Sequence, residues 1–187
     1  MEFKEFTKEY INTLYKTLNN LNLDCLKELE ELLRSTKGRV FIIGNGGSSA
    51  TASHMANDLS VGLKRRNRLN LDVISLADNS AVNFALANDI GFENVFYMQL
   101  KDIIKKDDIL IAISCSGTSA NIIKAVKYAK KQNAIIVGFS GFEGGDLKNL
   151  SDIKIHVETT KGEYGIVEDV HMILNHILFS YLKKEYK

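Results

Sequence analysis

Five short apolar runs punctuate the chain, at residues 39–44, 71–77, 108–114, 134–140 and 152–158, and most end at glycine, serine or alanine. The first three lead into segments with apolar residues at three- and four-residue spacing: SATASHMANDLSVGL, NSAVNFALAND and SANIIKAVKYAKK. The fourth leads into a glycine-rich loop, and the fifth is followed by EDVHMILNHILFSYLKK, which reads as a C-terminal helix. Strands that alternate with helices, and that are continuously apolar instead of alternating, must be covered on both faces. The expected fold class is therefore α/β: a three-layer αβα sandwich with a mostly parallel five-stranded sheet. Ahead of it, Phe6, Tyr10, Leu14, Leu18 and Leu21, then Leu26, Leu29 and Leu33, predict one or two amphipathic helices within residues 1–35. No linker or low-complexity tract divides the 187 residues, which are expected to form one domain.

Charge removes several function classes. Lys and Arg total 24 against 23 for Asp and Glu, a net charge of +1, so neither a nucleic-acid surface nor an acidic tail is expected. No apolar run approaches the roughly 18 residues of a membrane span. Cys25 and Cys115 are too few for a disulfide framework, and MEFKEFTKEY lacks an apolar signal core, so a cytoplasmic location is expected.

In a parallel sheet, ligands collect at the carboxyl ends of the strands, which brings GNGGSS, SCSGTS and SGFEGG to one region. In SCSGTS, residues 114–119, Ser116, Thr118 and Ser119 add hydroxyls to a helix start where backbone N–H groups favour an anion. The loop lacks the lysine of GxxxxGK[ST], so a phosphate monoester suits it better than a nucleoside triphosphate. The plainer reading is that the serines merely cap the helix. GNGGSS, residues 44–49, lacks GxGxxG spacing, and it serves either as a tight strand-to-helix turn or as a loop presenting Ser48 and Ser49.

His54 and Asp58 are four residues apart on one helix face. Glu168 and His176 lie about two turns apart on the C-terminal helix, with His171 about 60° off their stripe. Brought together, two imidazoles and two carboxylates make a ligand set for a borderline metal; apart, each pair is an ordinary surface contact. His156, in the middle of a strand, reads as structural.

With GNGGSSATASHMANDL followed by SCSGTSANIIKAVKYAK, the sequence resembles the sugar isomerase (SIS) domain family, and within it the phosphoheptose isomerases, over nearly its whole length. The resemblance implies a homotetramer that uses residues 1–35 in its packing, has sites at subunit contacts, and carries one zinc ion per subunit. It implies a small sugar phosphate as substrate, gripped by Ser48 and by Ser114, Cys115, Ser116 and Ser119, with Asn45, Gly46, Gly47, Asp78 and Asn79 beside it. It implies His54, Asp58, Glu168 and His176 as metal ligands, with Asp58, Glu168 and His176 as the catalytic groups. This chain departs from the family at three side chains and in the DNSAVNFALAND segment, which is one residue longer than in many members. Asp58 stands where the family has Glu, about 1.5 Å shorter in reach. Glu168 replaces Gln and so adds a charge, and Cys115 stands where Thr is usual.

The implied reaction converts sedoheptulose 7-phosphate to D-glycero-D-manno-heptose 7-phosphate through an enediolate. A carboxylate and a histidine move the proton between C1 and C2 while a cation polarises the oxygens. The alternatives are an isomerase or binder of a related sugar phosphate, and a non-catalytic SIS protein that binds a replication initiator. The product implied by the resemblance would feed lipopolysaccharide, capsule or another heptose-containing glycan.

Overall fold

The computed structural model describes residues 1–184. Two helices, α1 (Phe3–Asn19) and α2 (Asp24–Ser35), precede β1 (Val40–Gly44) and α3 (Gly47–Asn57). There follow β2 (Val73–Ser75), α4 (Ser80–Ile90), α5 (Val95–Leu100), β3 (Ile109–Ser114) and α6 (Ala120–Lys131). The chain ends with β4 (Ile135–Gly141), α7 (Gly145–Leu150), β5 (Ile153–Val157) and α8 (Tyr164–Leu182). The sheet runs in the order β2-β1-β3-β4-β5 with every pair parallel, so the expected mostly parallel sheet is wholly parallel.

Alternate strand residues feed two cores. On one side Val40, Ile42, Ile109, Ile111, Ile113, Val137 and Phe139 meet α2, α3 and α8 through Leu29, Leu33, Met55, Val170 and Leu174. On the other, Phe41, Ile43, Leu110, Ala112 and Ile136 meet α5 and α6 through Phe96, Leu100, Ile122 and Val126. Burial of both faces explains the continuous apolar runs; each fully buried aliphatic side chain contributes about 1.5–3 kcal/mol. At the edge, β5 buries only Ile153, Ile155 and Val157, and leaves Lys154 exposed and His156 half-buried.

Three local expectations are revised. The helix expected to run through LSVGL leaves α geometry at Asp58 and continues as a π-helical turn, Asp58–Gly62. At its end Gly62 packs against the Phe179 ring of α8, where an added Cβ would come within 3.1 Å. The glycine-rich segment after β4 is shorter than the sequence suggests, because Gly145 already begins α7. In α1, Leu14 and Leu18 pack on the core, but Phe6 is 53% exposed.

His171 of α8 is fully buried with its ring edge-on to Phe139, and its Nε2 donates to the Ser140 carbonyl at 3.3 Å. Burial pushes its pKa down to about 4, only partly opposed by the Ser140 bond. As pH falls below about 6.5, the unfolded chain takes up a proton that the folded chain refuses until near pH 4, so stability is lost through that window. The loss reaches about 3 kcal/mol. Urea unfolding midpoints measured from pH 7 to pH 4 should fall steeply in the native chain, and a His171→Leu chain should show a flatter profile.

Candidate active site at the carboxyl ends of the strands

Ser114 ends β3, and the turn that follows folds back on itself. The Ser114 hydroxyl accepts from the Gly117 N–H at 3.2 Å, and the Ser116 hydroxyl accepts from the Thr118 N–H at 3.3 Å. Gly117 has φ +64°, and a Cβ there would lie 1.9 Å from the Gly144 carbonyl oxygen, so only glycine lets the two loops interlock. Ser119 occupies the N-cap of α6 without capping it; its Oγ instead lies 3.4 Å from Ser114 Oγ. The helix-cap explanation of these serines therefore does not hold for Ser119. The hydroxyls of Ser114, Ser116 and Ser119 open on a cavity of about 160 Å³, completed by Asn45, Ser48, Cys115, Tyr164 and Glu168.

The loop after β1 is fastened to this turn. Asn45 and Asn121 exchange side-chain amide hydrogen bonds of 2.9 and 2.8 Å, and Asn121 also accepts from the Ile122 N–H. Gly47 makes room for the acid of α8, since a Cβ there would fall 2.3 Å from Glu168 Oε2. Burial, reinforced by the nearby Glu168 charge, pushes the Cys115 thiol up to about 11 against a hydrogen bond from Ser48. Cys115 is thus a neutral thiol near pH 7, its Sγ 4.0 Å from Glu168 Oε1.

Asp78 and Asn79 do not line the cavity. Asp78 accepts from the Ser53 hydroxyl, and Asn79 caps α4 by accepting from the Val82 N–H at 3.1 Å. Gly46 and Gly47 shape the adjoining turn and are not part of the cavity wall.

A second cluster lies where α3 meets α8. His54 Nε2 is 3.0 Å from His176 Nε2 and 3.3 Å from Asp58 Oδ2. Asp58 is 7% exposed, and Asn175 donates to its Oδ2 at 3.1 Å. A buried carboxylate needs such partners to offset its lost hydration. Ligand atoms of His54, Asp58 and His176 all lie within 4.8 Å of one another, a group able to hold a metal ion. Among the described residues Glu168 is not part of this group. Eight residues of helix rise about 12 Å, which puts Glu168 in the hydroxyl-lined cavity while His176 meets His54.

Asn121, Tyr164 and Asn175 are components that sequence reasoning missed. Asn175 carried the clearest signal, a polar residue inside the apolar C-terminal helix next to His176.

Comparison with known proteins shows the family. Residues 3–141 match the model of the SIS domain family. A phosphoheptose isomerase of Helicobacter pylori is 34% identical over 185 residues, 96% of this chain and 94% of that one. The chain belongs to the phosphoheptose isomerase family of SIS-domain proteins. Another phosphoheptose isomerase, from a Nitratiruptor species, is 36% identical over 156 residues, 83% of this chain and 81% of its own. Among solved structures, the phosphoheptose isomerase of Neisseria gonorrhoeae superposes with a TM-score of 0.82 at 26% identity, covering 96% of this chain and 95% of that one.

Two measurements check the site. Gly47→Ala should displace the Glu168 carboxylate and lower kcat/KM by about 100-fold while the circular dichroism spectrum is unchanged, since misplacement of about 1 Å costs that much. Alkylation of Cys115 by iodoacetamide, followed by mass spectrometry, should be slow at pH 7 and accelerate as pH rises toward 11.

Proposed function

We propose that this protein isomerises sedoheptulose 7-phosphate to D-glycero-D-manno-heptose 7-phosphate. The observation that carries the reading is a hydroxyl-lined cavity at the carboxyl ends of the strands that holds the Glu168 carboxylate, together with a His54-Asp58-His176 group where α3 meets α8, its His176 two turns further along α8 than Glu168. The hydroxyls of Ser114, Ser116 and Ser119 and the amides at the start of α6 bind the phosphate without a basic residue. Anchoring the distant phosphate lets its binding energy position C1 and C2.

His54, Asp58 and His176 are the zinc ligands in this reading. Tetrahedral zinc with ligand distances of about 2.0–2.1 Å needs donors about 3.3 Å apart. The separations of 3.0 Å between the imidazoles and 3.3 Å from His54 to Asp58 fit that need after a small opening of the rings. Zinc, when bound, supplies a Lewis acid that draws electron density from the substrate's carbonyl and neighbouring hydroxyl oxygens. Asp58 Oδ2 is already engaged by Asn175 and His54, which leaves Glu168 as the carboxylate free to take the carbon-bound proton. Glu168 then returns it to the adjacent carbon, and His176 handles the proton exchanged between the oxygens.

The chain works as one domain in the cytoplasm and as a homotetramer. Apolar side chains left outside both cores support the tetramer: Phe3, Ile11 and Tyr15 on α1 and Phe84 on α4 are at least 58% exposed.

Incubation of the zinc-loaded protein with sedoheptulose 7-phosphate, followed by NMR of C1 and C2, should show a new aldose C1 signal; a folded, zinc-loaded protein that produces none defeats the named substrate. Glu168→Gln should lower kcat by about 10²–10⁴-fold with zinc content retained. His176→Gln should abolish turnover and lower zinc content measured by mass spectrometry. A non-catalytic binding role predicts neither zinc nor turnover in the native protein.

A further inference from the structure

Outside the hydroxyl-lined cavity, a cleft of about 510 Å³ lies between α1, the turn before α2, α7 and the outer face of β5. Lys16 enters it from α1, Lys148 from α7 and Lys154 from β5. Some cations of the chain are paired with acids, as in Lys130 with Asp152 and Arg39 with Asp108. Among the described residues these three ammoniums have no ion-pair partner. The one carboxylate lining the cleft is Glu158, so three positive charges against one negative leave two in excess.

The neutral groups of the cleft are donors with little else to bond. The Thr13 hydroxyl and the Asn20 amide form no side-chain hydrogen bond among the described residues. His156 faces the cleft from β5 with its Nδ1 3.0 Å from Ser140 Oγ. With the serine hydroxyl donating to Nδ1, the ring proton sits on Nε2 and is available to a ligand. Burial and the charge of Lys148 keep this imidazole neutral by lowering its pKa. Leu21 and Cys25 supply a less polar wall.

We propose that this cleft is a second anion site, which takes a phosphate monoester dianion carried on a small polar body. Two excess charges match the charge of about −2 on a phosphate monoester near pH 7. The volume lies within the roughly 300–1,000 Å³ of small-molecule sites. Three lysines from three separate elements converge on a concavity, whereas lysines that serve only to solvate a surface spread along one exposed face. The site shares no residue with the hydroxyl-lined cavity, so it does not depend on the proposed isomerisation.

The test is a phosphate titration of the ¹⁵N-labelled, zinc-loaded full chain followed by amide shifts. Ser116→Ala/Ser119→Ala removes hydroxyls from the first cavity. In that variant the amides of Lys148, Lys154 and His156 should still move saturably. In Lys148→Gln/Lys154→Gln, with an unchanged melting curve, the cleft response should weaken by about tenfold or more while the amides of residues 114–119 respond as before. Cleft amides that stay still under millimolar phosphate, or a lysine variant that titrates like the native chain, overturn the proposal. Substitution of a sugar monophosphate for inorganic phosphate should tighten binding at the cleft; equal binding overturns the polar-body part of the assignment. A protein that fails to isomerise its proposed substrate leaves this readout intact, so the two readings fail separately.

Discussion

The reciprocal amide pair between Asn45 and Asn121 joins the loop after β1 to the first turn of α6. It can form because β1 and β3 lie side by side in parallel register, Gly44 opposite Ile113, so that both strands deliver their loops at one level. The sheet order turns there, with β2 to one side of β1 and β4 to the far side of β3. A crevice opens at such a reversal because successive crossovers leave in opposite directions. Buried at 1% exposure, Asn121 has no solvent to replace a lost partner, so the pair holds the two loops in fixed separation.

Helix α8 then divides the chemistry by height. Its apolar stripe, Val167, Val170, Leu174 and Leu178, fixes the helix against the sheet. Glu168 and His176 leave that stripe at different levels and reach different neighbours, one the hydroxyl turn and the other α3. Asn175, beside His176, turns inward to hold Asp58, and the π-helical turn begins at that same Asp58. Irregular turns of this kind recur at functional sites because they re-aim side chains without ending the helix. Packing and reactivity thus share one helix without competing for the same positions.

Much of the fold was legible because β3 and β4 are buried on both faces, and their apolar runs match the observed strands to within a residue. The run at 71–77 overstated β2, which pairs with β1 over only three residues at the sheet edge. Strand order was not legible, since composition does not record which way a crossover turns. The hydroxyl turn could be read from residue type and spacing, as could the likeness of His54 and Asp58 to a ligand pair. Asn121 was invisible because a lone polar residue in a helix normally points to solvent, and Asn175 was passed over on the same expectation although it stands in an apolar stretch beside His176. The exposure of Phe6 also escaped pattern reasoning, because helical periodicity marks an apolar face without saying what covers it.

The close fit of Gly47 against Glu168 has a hereditary consequence. The space occupied by the carboxylate at one position is the space a side chain would need at the other. A descendant of this chain that gained a larger residue in the first turn of α3 would keep both helices in place and turn the flexible end of the Glu168 side chain out of its present position. The two positions, far apart in the gene, therefore share one small volume, and a side chain gained at the first takes the place of the carboxylate at the second.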